Sequence, residues 1–292
     1  MKKIGILGGG QLGRMLLQAA INYPVITYVM ENDSECPSAH LCHHFTKGNI
    51  TNYDDVYSFG KGLDAITIEI ENVNTDALFE LELEGVKIYP RPATLKTIKN
   101  KILQKQLLQT KNDIACGFDE PAVLEKMVAI YKEIAIIVAV SENGKSVLFP
   151  PVDMVFDSRL NLLSYQISPA DITDQALWKA EAIAMKVVKE LNSPGLFAVE
   201  LFVDKNNNVL VNETAPRVHN SGHHTIEANY SSQFDMLWRI ILQYPLGNTG
   251  TIMPAALVNI IGEEGYTGNA IYEGLEEVLK IPDAFVHIYG KL

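Results

Sequence analysis

The segment GLFAVELFVDKNNNVLVNETAPRVHNSGH, from Gly195 to His223, limits the folds open to this chain more than any other stretch. Phe197, Val199, Leu201 and Val203 recur at every second position, the period of a strand that buries one face. Asp204-Lys205-Asn206-Asn207-Asn208 is turn chemistry, and Val209-Leu210-Val211 opens a second strand, so the segment predicts a β-hairpin. Each strand carries one glutamate, Glu200 and Glu213. With a four-residue loop at 205–208, Asp204 pairs with Val209 and the two glutamates stand opposite each other on one face. Carboxylates opposed at about 5 Å repel. A magnesium ion held between them by oxygen ligands reverses that sign. In another register the acids separate into water. Asn212 adds a neutral oxygen beside them, and Arg217 follows within reach of an anionic ligand. The polar run around Arg217 is more than a hairpin needs to fold, and it reads as a site.

These residues carry a resemblance. Glu200, then Asn212-Glu213-Thr-Ala-Pro-Arg217-Val-His219-Asn220-Ser221-Gly222-His223, resembles the signature of the N5-carboxyaminoimidazole ribonucleotide synthase family of the ATP-grasp superfamily. The similarity extends over most of the chain. It implies that Glu200 and Glu213 hold Mg²⁺ against the phosphates of ATP, in an enzyme of purine biosynthesis.

Composition narrows the class. A chain of 292 residues is long enough for two or three domains with real cores. Its formal charge of −11 argues against nucleic acid or an anionic membrane as the main partner, and leaves room for a local phosphate site. The longest clean apolar run, Ile134 to Val140, is too short to span a bilayer. Met1-Lys2-Lys3 leads into a strand and a glycine turn rather than a signal-peptide core. Three cysteines, an odd number, point to a reducing cytoplasm.

From the start of the chain, Lys3 to Leu7 reads as a strand, followed by a glycine-rich turn and a helix to about Ala20. Gly8, Gly10 and Gly13 fit G-x-G-x-x-G, and Glu31 ends a second strand where a dinucleotide fold has its ribose-binding acid. On pattern alone an NAD-dependent oxidoreductase is a serious rival. The resemblance instead turns this loop to the ribonucleotide substrate, with Gly10, Gln11 and Leu12 in contact. Cys36, His40, Cys42, His43 and His44 invite a zinc reading, but their spacing fits no zinc pattern. A strand from Ala65 to Ile70 runs into Glu71, which the resemblance brings near the substrate amine.

Pro90 and Pro92 mark a domain boundary, and Ala93 to about Gln109 reads as one long helix whose lysines mostly form a solvated face. The resemblance singles out Lys101 for ATP, at a position where relatives carry arginine. The likeness then breaks. Asn112 to Asp119 runs into Pro121 with no ATP-binding lysine strand and no glycine-rich flap near 115–117, and the basic Arg-Pro-x-Arg-Lys segment expected beyond Leu292 is missing. Both pieces are expected to be exposed loops left out of the sequence in hand; the alternative is a truly deleted, inactive relative. Glu125, Lys126, Met127 and Val128 form a chemically suitable adenine hinge, and the resemblance gives Glu133 the ribose hydroxyls. Phe156 stands where many relatives have a histidine near ATP. Asn143-Gly144 is a hairpin turn, and helices are predicted over Asp171–Leu191 and Ser231–Tyr244.

The expectation is an α/β protein in three parts. Residues 1–95 form a parallel-sheet, Rossmann-like substrate domain, 96–250 an α+β ATP-grasp domain, and 251–292 a small β-rich C-terminal domain. The resemblance implies a cytoplasmic, homodimeric ligase that uses ATP, Mg²⁺ and bicarbonate to carboxylate 5-aminoimidazole ribonucleotide through carboxyphosphate. Arg217, Glu200 and Glu213 would be catalytic, Asn212 would join Glu213 at ATP, and Asn220 and Ser221 would touch the substrate. A relative using another acid or amine, and a nucleotide-binding protein without turnover, are the remaining alternatives.

Overall fold

The computed structural model describes residues 1–107, 113–115, 122–124, 127–157, 162–260, 265, 268 and 270–288. Its N-terminal part alternates strand and helix: β1 (Lys2–Leu7), α1 (Gln11–Ala20), β2 (Val25–Glu31), β3 (His44–Lys47), α2 (Tyr53–Gly60), β4 (Ala65–Ile68), α3 (Thr75–Leu83) and β5 (Lys87–Tyr89). The five strands are all parallel, in the order β3-β2-β1-β4-β5. The order reverses between β1 and β4, and in open α/β sheets ligands gather at the carboxyl ends of the strands at such a point. Here those ends carry the loops 8–10 and 69–74.

The expected long helix after Pro92 is two helices, α4 (Pro92–Lys99) and α5 (Lys101–Leu107). Asn100 breaks it: its backbone is extended, and its side-chain oxygen accepts from the N–H groups of Ile102 and Leu103 at 3.0 and 3.2 Å. An asparagine that caps the next helix cannot also continue the previous one.

Two short strands, β6 (Asp113–Ala115) and β7 (Ala122–Leu124), pair antiparallel. Cys116 and Gly117, where the sequence is short against the resembled pattern, lie outside the described residues, as do Glu125 and Lys126. The chain continues through β8 (Lys132–Val140), β9 (Ser146–Leu148), β10 (Val152–Asp157), β11 (Leu162–Ser168), α6 (Asp174–Leu191), β12 (Gly195–Val203) and β13 (Val209–Ala215). It ends with α7 (Thr225–Ala228), α8 (Gln233–Leu242), β14 (Ala255–Val258) and α9 (Leu275–Val278). A seven-stranded sheet runs β13-β12-β8-β10-β11-β14, with β9 on β8. The C-terminal part therefore lends β14 to the large sheet, and Phe285 to Ile288 lie in no strand.

The alternation read in β12 is observed. Phe197, Val199, Leu201 and Val203 pack with Ala176, Ala180, Ala184 and Val187 of α6. On the opposite face Leu196 and Ala198 join a second cluster with α8 and with Leu12, Met15 and Leu16 of α1. That cluster unites the two sheets, and the indole N–H of buried Trp238 donates to the Leu16 carbonyl at 2.8 Å across it. Among the described residues no helix is long and apolar enough to cross a membrane.

Truncating a large buried aromatic costs its transfer energy plus a cavity. Trp238→Ala is therefore expected to lower unfolding free energy by about 3–5 kcal/mol in urea titration. A loss below about 1 kcal/mol would show that the two sheets do not depend on this contact.

Candidate active site

Glu200 and Glu213 are direct partners across the β12–β13 pair. The route to that register differs from the simple hairpin. Val203, not Asp204, pairs with Val209, and Asp204 closes a five-residue turn in which its carboxylate accepts from the N–H groups of Asn206 and Asn208. Continued without interruption, this register would set Glu200 against Asn212. A bulge intervenes: Leu201 pairs with Val211, Glu200 with Glu213, and Asn212 is the extra residue. The bulge restores the opposition that the turn alone would have lost.

Ala215, Glu213 and Ala198, Glu200 share one face of the sheet, and Glu133 of β8 lies on it too, paired with Phe202. Burial, then repulsion from Glu213, pushes the Glu200 carboxyl up to about 7. Burial also raises Glu133. The compensating charge is Lys101, whose ammonium contacts Glu213. Asn212 Nδ2 donates to Glu200 at 3.2 Å. Near pH 7 the pair thus holds a repulsion that a hard cation would relieve, and oxygen donors of this kind suit Mg²⁺. Among the described residues no group of three or more His, Cys, Asp and Glu converges as a complete metal cage. Two carboxylates with room for phosphate oxygens and water still match how Mg²⁺ is usually held.

One cleft is lined by residues of this strand and another by the segment that follows it. The first, about 920 Å³, is lined by Lys96, Lys99, Lys101, Lys105, Asn212 and Glu213 among others. The second, about 520 Å³, lies between the two sheets, where Gly10, Gln11, Leu12, Glu69 and Ile70 face Arg217, His219 and Asn220. Residues far apart in sequence are thus brought together on opposite walls. Glu71 is not in this lining but contacts a residue that is, with Arg217 Nε 2.8 Å from its Oε1. Ser221 is also withdrawn: it is 1% exposed and its hydroxyl bonds His219 Nδ1 at 2.9 Å. Met127 is almost fully exposed and Val128 partly so, just ahead of β8.

The glycine-rich loop is already full. The backbone N–H groups of Leu12 and Gly13 donate to the Glu69 carboxylate, and a Cβ on Gly8 or Gly10 would lie 2.7 or 2.6 Å from its oxygens. Burial raises the Glu69 carboxyl, opposed by the nearby Arg217 charge. Glu31, read as a ribose-binding acid, turns inward and accepts from Gly9 N–H at 3.1 Å. A pyrophosphate would find the α1 N-terminus taken by an internal anion, which removes the basis for a dinucleotide site. Glu69 was not legible as a site residue, because only Glu71 was carried by the resemblance; its place directly at the end of β4 was the available signal.

Burial governs the three histidines that follow Arg217. His219 Nε2 lies 3.4 Å from Glu200 Oε1, yet burial holds its imidazole down to about 3, so the contact is not an ion pair. Burial lowers His223 to about 3 and His224 to about 4. The Cys36–His44 group disperses: Cys36 packs on Gly9, His43 bonds Thr27, and His44 stacks on Tyr28.

Comparison with known proteins follows this geometry. Residues 1–99 match the ribonucleotide synthetase preATP-grasp domain, 98–234 the ATP-grasp domain, and 255–292 the phosphoribosylaminoimidazole carboxylase C-terminal domain. N5-carboxyaminoimidazole ribonucleotide synthetase from Thermotoga maritima superposes with a TM-score of 0.90 at 34% identity, over 100% of this chain and 89% of that one. The Aspergillus clavatus synthase in complex with ADP and 5-aminoimidazole ribonucleotide gives 0.89 at 28% identity, over 99% and 89%. The chloroplastic phosphoribosylaminoimidazole carboxylase of Vigna aconitifolia is 32% identical over 99% of this chain, which spans 61% of that protein's length. That alignment runs over 346 residues against 292 here, so it includes positions the relative fills and this chain does not.

The buried imidazoles give stability a pH dependence. Their folded pKa values lie below the ordinary 6.5, so as pH falls through 6.5 towards 3 the unfolded chain takes up protons that the folded one refuses. Raised Glu200 acts oppositely between 4.5 and about 7, and Glu69 and Glu133, also raised by burial, act with it, so the three imidazoles are partly offset. Stability is expected to fall on acidification from pH 6.5, by roughly 1.4 kcal/mol per pH unit for each net proton. Urea titrations at pH 7 and 5 with equal midpoints would contradict it.

Proposed function

The chain belongs to the N5-carboxyaminoimidazole ribonucleotide synthetase family of the ATP-grasp superfamily, and from this membership we propose that it carboxylates 5-aminoimidazole ribonucleotide with bicarbonate, driven by ATP. The observation that carries the reading is the opposition of Glu200 and Glu213, with Glu213 on the wall of a lysine-lined cleft and Arg217 and Asn220, a few residues on, lining a second one with Gln11. A nucleotide triphosphate suits the first cleft by charge. A small polar substrate suits the second.

Bicarbonate is too poor an electrophile to react with an aromatic amine directly. The γ-phosphoryl group therefore passes to a bicarbonate oxygen: its P–O bond to ADP breaks, a new P–O bond forms, and carboxyphosphate results. Cleavage of the carboxyphosphate C–O bond gives CO₂ and phosphate beside the amine, which forms the N–C bond and loses a proton. Mg²⁺ on Glu200 and Glu213 would offset the charge on the transferring phosphoryl group. Lys101, now paired with Glu213, is free to turn to the phosphates once the carboxylates have a metal partner. The Arg217 guanidinium, kept in place by Glu71 and by a bond from its Nη1 to the Val218 carbonyl at 2.9 Å, matches the oxygens of carboxyphosphate. Asn220 and Gln11 orient the imidazole or bicarbonate. Glu71, which holds Arg217, and Glu69, which lines the cleft, are the carboxylates nearest the place given to the amine.

The hinge formed by Glu125, Lys126, Met127 and Val128 would receive the adenine, Glu133 the ribose hydroxyls, and Asn212 the phosphates with Glu213. A homodimer in the cytoplasm completes the reading, on the family resemblance and the three cysteines alone.

Phosphate release from ATP, with bicarbonate and 5-aminoimidazole ribonucleotide each omitted in turn, tests the reaction. Full release is expected only with both present; equal release without either would refute the assigned substrates. Glu213→Gln is expected to cut turnover by more than about 100-fold, beyond what loss of an outer metal contact costs, with the melting temperature retained. Wild-type turnover in that variant would refute the metal role.

A further inference from the structure

β13 is the edge of the seven-stranded sheet, paired with β12 alone. An edge strand has no neighbour to fix its outer backbone groups, and a bulge loosens its register further. The two site acids depend on that register. What stands along the open edge is α5. Gln104, 1% exposed, donates from Nε2 to the Thr214 carbonyl at 3.1 Å and to the Ile98 carbonyl at 3.3 Å. Lys105, 8% exposed, donates from Nζ to the carbonyl of Asn212, the bulged residue, at 2.7 Å. Lys101, one turn earlier, contacts the Glu213 carboxylate. Three side chains of one helix thus grip Asn212, Glu213 and Thr214 in succession. Asn100, which caps α5, sets the phase that turns them to the strand.

A buried ammonium on a backbone carbonyl is costly to place and needs its hydrogen bond. We propose that Lys105, seconded by Gln104, is a positioning residue for the metal-bearing pair: it pins the Asn212 carbonyl, fixes the bulge, and so keeps Glu213 across from Glu200. In this role the lysine acts through the strand's backbone, from the wall of the first cleft. It differs in that from Lys101, which pairs with the carboxylate itself. The inference rests on the reading of Glu200 and Glu213 as the metal site.

The test is Mn²⁺ binding to the full chain without and with ADP, followed by water-proton relaxation, with melting temperature measured alongside; the effect is expected without ADP as well, and a loss seen only with ADP overturns the positioning role. Lys105→Met keeps the length of the stem and removes the donor; Lys105→Arg keeps a donor and a charge. Outer contacts that orient metal ligands are typically worth 10–100-fold in affinity. Lys105→Met is expected to bind Mn²⁺ about tenfold more weakly while remaining folded, and Lys105→Arg to recover most of the loss. Glu213→Gln is the control for the underlying reading. If wild type and Glu213→Gln bind Mn²⁺ alike, the metal site itself is refuted. If Glu213→Gln loses Mn²⁺ while folded Lys105→Met keeps wild-type affinity, only the role of the lysine is overturned. Should Lys105→Met not fold, Lys105→Gln replaces it. Failure of that variant to fold as well overturns the proposal, because the lysine would then hold the fold rather than the site.

Discussion

Two carboxylates facing each other across neighbouring strands are an electrostatic liability, and much of this structure is arranged to keep them there. Hydrophobic packing of Phe197, Val199, Leu201 and Val203 against α6 fixes which way β12 faces, and so turns Glu200 to the other side. On that side Leu196 and Ala198 are covered, but the cover stops before Glu200. The residue emerges half enclosed, where burial and a like charge together raise its pKa. A repulsion maintained by a packed core is a standing demand for a cation.

The glycine-rich loop shows the opposite economy. In many parallel α/β folds the first strand-to-helix turn presents bare N–H groups to a phosphate. Here Glu69, rising from the neighbouring strand, answers those groups from within. Gly8 and Gly10 are small because a carboxylate lies against them. The same motif thus serves internal capping, and the cleft beside it is lined by side chains such as Gln11, Arg217 and Asn220.

Much of this was legible in the sequence. The alternation in β12, the Asn143-Gly144 turn, the parallel N-terminal sheet and the facing of Glu200 and Glu213 follow from local pattern. The pairing was reached by a different path, because a turn one residue longer and a bulge at Asn212 cancel, and neither leaves a periodic trace. The break at Asn100 was hidden in an otherwise helical run, since a side chain capping the helix ahead looks in sequence like any polar helix residue. Glu69, Gln104 and Lys105 were invisible for a different reason. Their partners are backbone groups distant along the chain, and a backbone carbonyl has no letter in a sequence.

The indole of Trp238 has a mechanical corollary. It bonds the backbone of α1 from α8, inside a cluster to which both sheets contribute. Close-packed interiors shift between discrete arrangements rather than bending smoothly. The two sheets are therefore joined by one continuous packed cluster, to which Leu12 of the second cleft belongs. A movement of one sheet against the other would have to break that packing and the indole's bond with it.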